Sequence, residues 1–131
     1  MKTLTAALAG LLAGDLGCLT DVLTASDRAR SEAAATLPRP LVSRSSLTKV
    51  LEDWRNGLFS AQDVQGWASF VRRGYVSGGA SGAKRPISIE YDDEDETLIA
   101  DMISRLDEIG DQIDGHINAR ELEEMRRRLR Q

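Results

Sequence analysis

The chain has 131 residues, 41% of them hydrophobic and 29% charged, which suits one domain with a single modest core and argues against wholesale disorder. Its net charge of −4 is unevenly spread: residues 1–85 carry eleven Lys/Arg and seven Asp/Glu, whereas residues 86–131 carry six and fourteen. A negative field repels nucleic acid and anionic membranes. The charge balance therefore argues against nucleic-acid and membrane partners and favours a basic protein partner.

The first predicted helix spans Leu4–Leu12, where leucines recur at helical spacing, and it continues beyond a break at Gly14 and Gly17. The same stretch has the shape of a short signal peptide, but a single positive charge and the early Asp15 favour an amphipathic helix. No apolar run approaches the ~18–20 residues that span a bilayer. Cys18 is the only cysteine, so an internal disulfide is excluded and a reducing cytoplasm is expected.

A linker is predicted over residues 24–45, with one helical turn at Glu32–Ala35. Pro38 and Pro40 end any preceding helix, because proline lacks an N–H and biases the residue before it towards extended backbone. The N-terminal helices and the Pro-containing linker make up residues 1–42 of a single helical domain predicted to cover residues 1–131.

Residues 43–76 are predicted to form an αα-hairpin. Its first helix ends at Asn56-Gly57, and Ser60 with Asp63 three residues later forms the cap of the second. Two helices joined by so short a turn pack side by side. Each helix carries an apolar stripe at helical spacing: Leu47, Val50, Leu51 and Trp54 in the first, and Val64, Trp67, Ala68 and Val71 in the second.

Residues 77–86 are rich in Gly and Ser, a composition typical of a flexible loop. The alternation of apolar and polar residues in Ile87–Tyr91 then predicts a short strand. A lone strand needs a partner. The sequence offers Tyr75–Ser77 across the loop, or the same strand in a second copy of the chain.

The remaining region, residues 87–131, is predicted to form an acidic helix and a C-terminal helix. Eleven carboxylates lie between Glu90 and Asp114, against one base, Arg105. The acidic helix should run from about Asp93 to Ile113, because its apolar residues fall within an arc of roughly 140°. The other side of the helix carries Glu96, Asp101, Asp107, Glu108, Asp111 and Asp114.

The acidic segment allows two interpretations. Charge at a helix N-terminus and opposite an apolar stripe is an ordinary solvated face. Six carboxylates in the seven residues 90–96 exceed what helix capping uses, however, and this excess favours a docking surface for a basic partner. The candidate contact residues are Glu90, Tyr91 as an aromatic anchor, Asp92, Asp93, Glu94, Asp95, Asp101, Glu108 and Asp111.

No set of residues predicts catalysis, a metal site or a cofactor. His116 is the only histidine, so neither a zinc site nor a nucleophile–base pair can be assembled in the usual way. When Gly110–Glu121 is aligned with a twelve-residue EF-hand loop, its second half fits the pattern, with Glu121 in the bidentate position. Gly110 and Gln112 occupy the places of the first acidic ligands, so a helix–turn–helix explains the segment better. We therefore predict a non-enzymatic protein.

The segment Leu51–Ser60, with Val64 and Trp67-Ala68 after it, resembles the helix–turn–helix opening of small bacterial immunity proteins of the colicin D immunity type. The acidic helix Leu98–Ile113 fits the same picture. This resemblance implies a cytosolic, all-α protein that binds a toxin domain, often a basic nuclease, and occludes its active site.

These observations together predict an all-α helical bundle with a central αα-hairpin and a minor two-stranded β element. The predicted function is that of a cytoplasmic binding protein whose acidic face neutralises a basic partner. The alternative is a self-associating helical module, in which the Ile-rich stripe of the acidic helix or the Ile87–Tyr91 strand forms a homodimer.

Overall fold

In a computed structural model that describes residues 3–37, 39–74, 87–110 and 116–130, the chain is a helical bundle with one small parallel sheet. The predicted fold class is confirmed. Short 3₁₀ turns lie at Leu16–Cys18, Asp93–Asp95 and Glu108–Gly110. In chain order the described residues form α1 (Leu4–Leu12), α2 (Leu19–Leu23), α3 (Asp27–Ala35), β1 (Leu41–Val42), α4 (Arg44–Arg55), α5 (Ala61–Arg73), β2 (Glu90–Tyr91), α6 (Glu96–Asp107) and α7 (Ala119–Arg130).

The N-terminal helices α1, α2 and α3 pack together and contribute to the common core. The Thr3 side chain caps α1 by accepting a hydrogen bond from the Ala6 N–H at 3.1 Å. The predicted linker contains more helix than expected, since α3 covers nine residues rather than one turn. Ser26 caps α3, and the buried Arg30 side chain donates to the Val22 carbonyl oxygen at 3.1 Å, which ties α3 to α2.

The central αα-hairpin is formed by α4 and α5. Gly57 has a φ of 78°, and this left-handed conformation lets the Leu58 N–H return to the Asp53 carbonyl oxygen at 3.0 Å. Ser60 and Asp63 form the predicted capping box, each side chain accepting from the other's backbone N–H. The hairpin is fastened to α1 by the buried Trp67, whose Nε1–H donates to the Leu11 carbonyl oxygen at 2.8 Å.

The two-stranded sheet joins the start of the hairpin to the acidic region. Leu41 pairs with Glu90 and Val42 with Tyr91, in parallel. Of the predicted strand Ile87–Tyr91, only the last two residues form β2, and they pair with the segment after Pro40, within the same copy of the chain. Of the expected partners, Tyr75–Ser77 lies outside the described residues.

The bundle is completed by α6 packing on α5 and by α7 packing on α4. The acidic helix begins as the 3₁₀ turn Asp93–Asp95, becomes α-helical at Glu96 and changes to a 3₁₀ turn after Asp107; its predicted end at Ile113 lies outside the described residues. Most of the described apolar stripe is buried within the chain, and Leu98 and Ile109 are partly buried against the core. The buried members of the stripe are Ile99, Met102, Ile103 and Leu106.

Candidate acidic docking surface

The acidic segment is anchored at both ends by the fold. Its N-terminal end is β2, which pairs with β1, and its C-terminal end continues into α6, which packs on α5. Between them Asp92 caps the 3₁₀ turn, since its side chain accepts from the Glu94 N–H at 3.3 Å. Carboxylates suit this position because the N–H groups at the start of a helix attract negative charge. The acidic segment is therefore held in place by the elements on both sides of it.

A cleft of about 440 Å³ lies beside this segment, between the start of α6 and the end of α7. Four of its carboxylates are exposed and form no ion pair with any residue that the structure describes; we call Asp93, Glu94, Glu96 and Asp101 the acidic rim. The other residues that line the cleft are Arg44, Asp95, Thr97, Leu98 and Arg128.

Three candidate contact residues are instead paired with the protein's own arginines. Glu90 accepts from Arg39 at 2.6 Å and Asp95 accepts from Arg44 at 2.7 Å. Glu108 lies 3.2 Å from Arg105 at the far end of α6. Within the described part of the acidic segment, the exposed carboxylates that form no ion pair are therefore those of the acidic rim. The unpaired charge does not run along the whole exposed side of the helix, as the sequence pattern suggested.

Asp107 departs furthest from its predicted place on the exposed side of the helix. Its side chain is only 5% exposed, at the edge of the stripe that faces α5. It accepts hydrogen bonds from Arg72 at 3.0 Å and from Gln65 at 3.1 Å, and it lies 3.6 Å from Arg73. A carboxylate bound by two guanidinium groups and an amide is a structural group, because its charge is compensated inside the chain.

The remaining candidate contact residues differ in burial and in whether they already have a structural role. Tyr91 is partly buried and packs against the core, and this burial raises the pKa of its hydroxyl group, against a smaller opposing effect of Arg72. Asp92 is half-buried and occupied as a cap. Asp111 lies outside the described residues, as does Asp114. The structure thus leaves Asp93, Glu94 and Asp101 as the candidate residues that are both exposed and unpaired among the residues it describes.

Sequence reasoning missed the arginines that surround the acidic segment. The pKa of Arg39 is raised, first by its hydrogen bond to Glu90 and by the charge of that group, and further by Asp93 and Asp92. Arg39 and Arg44 each lie 51 residues before their carboxylate partners. No local pattern connects residues so far apart, so only the three-dimensional structure brings them together.

The structure argues against a calcium site in the loop Gly110–Glu121, because its expected bidentate ligand, Glu121, is already paired. The Glu121 carboxylate binds Arg105, with Oε2 2.6 Å from Nε and Oε1 2.9 Å from Nη2. The hydrogen bond from Arg105 lowers the pKa of Glu121, although partial burial opposes it. Residues 111–115 of the loop lie outside the described part of the chain. Within the described part, no three His, Cys, Asp or Glu side chains are grouped in a way that could hold a metal ion.

A comparison with protein-family models, curated proteins and solved structures gives no match to this chain. None of the described helices combines the length and the apolar composition that crossing a bilayer requires.

Proposed function

We propose that this chain is a non-enzymatic binding protein whose acidic rim docks on a basic protein partner and neutralises it. The observation that carries the proposal is the contrast within one segment: Glu90 and Asp95 are paired with arginines, whereas the rim carboxylates are exposed and form no ion pair with a described residue. Structural roles account for the paired carboxylates. The helix N-terminus attracts the charge of Asp93, Glu94 and Glu96, but no described side chain of opposite charge forms an ion pair with any rim carboxylate.

Clustered, uncompensated carboxylates have a definite use in binding. They raise the rate of association with a cationic surface by electrostatic steering, and at contact they accept charge-assisted hydrogen bonds from Arg and Lys side chains. A basic nuclease toxin domain is the partner class we favour, since such a domain binds the phosphates of nucleic acid with a cationic site that an acidic protein can cover. This is the function implied by the sequence resemblance of Leu51–Ser60, Val64 and Trp67-Ala68 to small bacterial immunity proteins of the colicin D immunity type.

In this proposal the protein acts in the cytoplasm, where an immunity protein meets a toxin. Cys18, the only cysteine, is buried in the core, as a thiol kept in a reducing compartment can be. The alternative of self-association through the Ile-rich stripe has less support, because Ile99 and Ile103 are fully buried between α6 and its neighbours.

The test compares two matched double variants as baits in affinity purification from the source cells. The rim variant is Glu94→Gln with Asp101→Asn, and the control variant is Glu32→Gln with Asp21→Asn, exposed residues that do not line the cleft. Both variants change the net charge equally. We expect a basic protein that the wild type and the control variant retain and the rim variant loses.

The retained protein is then purified and its association rate is measured at low and high salt. We expect the rim variant to associate about tenfold more slowly at low salt, with the difference shrinking as salt screens the charges. If the partner is a nuclease, wild-type protein should inhibit it in proportion to binding. Equal retention of every partner by the rim and control variants would exclude the acidic rim as the contact.

A further inference from the structure

The cleft beside the acidic rim also has a basic wall. Arg128 lines the cleft, and its neighbour Arg127 lies in the same last turn of α7 with 68% of its side chain exposed. Arg128 is exposed and forms no ion pair with a residue in the described ranges, and Arg127 is 4.0 Å from Glu124. Unpaired carboxylates and an unpaired guanidinium group thus border one cleft. We call Arg127 and Arg128 the arginine turn.

The relative positions of the acidic rim and the arginine turn are fixed by Arg44. Its Nη2 donates to Asp95 at 2.7 Å, and its Nη1 donates to the Leu129 carbonyl oxygen at 3.0 Å. One side chain therefore joins the acidic segment to the last turn of α7. The backbone segments that carry the two charged groups are therefore held next to each other.

A surface that carries adjacent patches of opposite sign can be complementary to itself. In a two-fold symmetric interface the same residues occur on both sides, so each patch can face the other patch of the second copy. A uniformly basic partner pairs with the rim alone, whereas a second copy pairs with both patches. We infer that this cleft docks a second copy of the chain, with Glu94 and Asp101 of each copy facing Arg127 and Arg128 of the other.

The homodimer should be weak and should form only at high protein concentration, because exposed ion pairs each contribute little. Each copy has a net charge of −4, and the two copies repel at long range. At about 0.15 M salt the Debye length is about 8 Å, so this repulsion is largely screened while pairs in contact persist. The homodimer covers the same rim that the proposed function assigns to a basic partner, so the partner would displace the second copy.

Charge reversal tests the inference in sedimentation equilibrium at about 0.15 M salt. The wild type should show an average mass that rises with concentration from 14.3 kDa towards twice that value. The acid-to-base variant, Glu94→Lys with Asp101→Lys, and the base-to-acid variant, Arg127→Glu with Arg128→Glu, should each raise the dissociation constant about tenfold or more. An equimolar mixture of the two variants should restore the dimer, because every contact is again between opposite charges.

The matched control is Asp21→Lys with Glu32→Lys, which changes the net charge as the acid-to-base variant does and should leave the dimer intact. Circular dichroism establishes that each variant is folded. A wild type that stays monomeric at all concentrations overturns the inference, and so do reversed variants that dimerise like the wild type or a mixture that stays monomeric. A monomeric wild type would leave the proposed binding of a basic partner untouched, so the two proposals fail separately.

Discussion

At the C-terminal end of α6, the Asp107 side chain is 5% exposed and accepts hydrogen bonds from Arg72 and Gln65. Six residues earlier, Asp101 is exposed and makes no ion pair with a described residue. Both residues belong to the same acidic helix, and both lie outside its fully buried stripe. The difference is their neighbours, since the last turn of α5 presents two arginines to Asp107. The acidic helix therefore contains both carboxylates with a structural role and exposed carboxylates that form no ion pair with a described residue.

The comparison predicts, first, that the two aspartates differ sharply in their contribution to stability. Asp107→Ala should lower the free energy of unfolding by about 2 kcal/mol, because it leaves Arg72, Arg73 and Gln65 without their common acceptor. Asp101→Ala should change it by less than about 0.5 kcal/mol. Urea denaturation of the two variants measures both values. Equal losses would mean that Asp101 has a structural partner after all.

Within the cleft the same contrast applies to the arginines. Arg44→Ala should cost about 1–2 kcal/mol, because Asp95 and the Leu129 carbonyl oxygen both lose a donor and the end of α7 loses its cap. Arg128→Ala, in the same cleft, should cost less than about 0.5 kcal/mol. Thermal or urea unfolding gives the comparison. A large loss on replacing Arg128 would make the arginine turn structural and weaken the case for a homodimer.

Acid titration should distinguish the paired carboxylates by their effect on stability. The hydrogen bond from Arg105 lowers the folded-state pKa of Glu121, and one from Arg126 lowers that of Glu52. A carboxylate whose folded-state pKa is below its unfolded value of about 4.3 adds stability above that pH and loses it as pH falls through the folded-state value. We therefore expect a level urea midpoint above about pH 5.5 and a decline below about pH 4.5.

A double-mutant cycle assigns part of this decline to one ion pair. Glu121→Gln should reduce the loss of stability between neutral and acidic pH, because glutamine does not titrate. In an Arg105→Gln background the same change should have a smaller effect, since the hydrogen bond that lowers the pKa of Glu121 is absent. If Glu121→Gln alters the pH dependence equally in both backgrounds, another group shifts the titration of Glu121.

The contrast between local and long-range contacts also explains how much could be read from the sequence. The α4–α5 hairpin was predictable, because its signals are close in sequence: the stripe that includes Leu47 and Leu51, the left-handed stop at Gly57, and the cap formed by Ser60 and Asp63. The alternation of apolar and polar residues in Ile87–Tyr91 predicts a strand there, and β2 covers its last two residues. The partner of β2 was not predictable, because β1 lies on the far side of the hairpin in sequence.

The candidate site was predictable in composition and not in detail. Every member of the acidic rim stands in the segment that the charge pattern selects. The sequence could not show that Asp95 binds Arg44 or that Asp107 turns towards α5, because both contacts join distant parts of the chain. Pairing, and with it the difference between a structural and a docking carboxylate, is a property of the tertiary structure.

The smallest effect that we predict is also the most informative about the rim. Glu94→Gln with Asp101→Asn should change the free energy of unfolding by less than about 0.5 kcal/mol, because the repulsion that neutralisation relieves offsets the helix N-terminal interaction that Glu94 loses. Urea unfolding at low salt, where this repulsion is least screened, gives the clearest value. A loss of more than about 1 kcal/mol would show that these residues stabilise the fold, and the rim would then have no surplus charge to offer a partner.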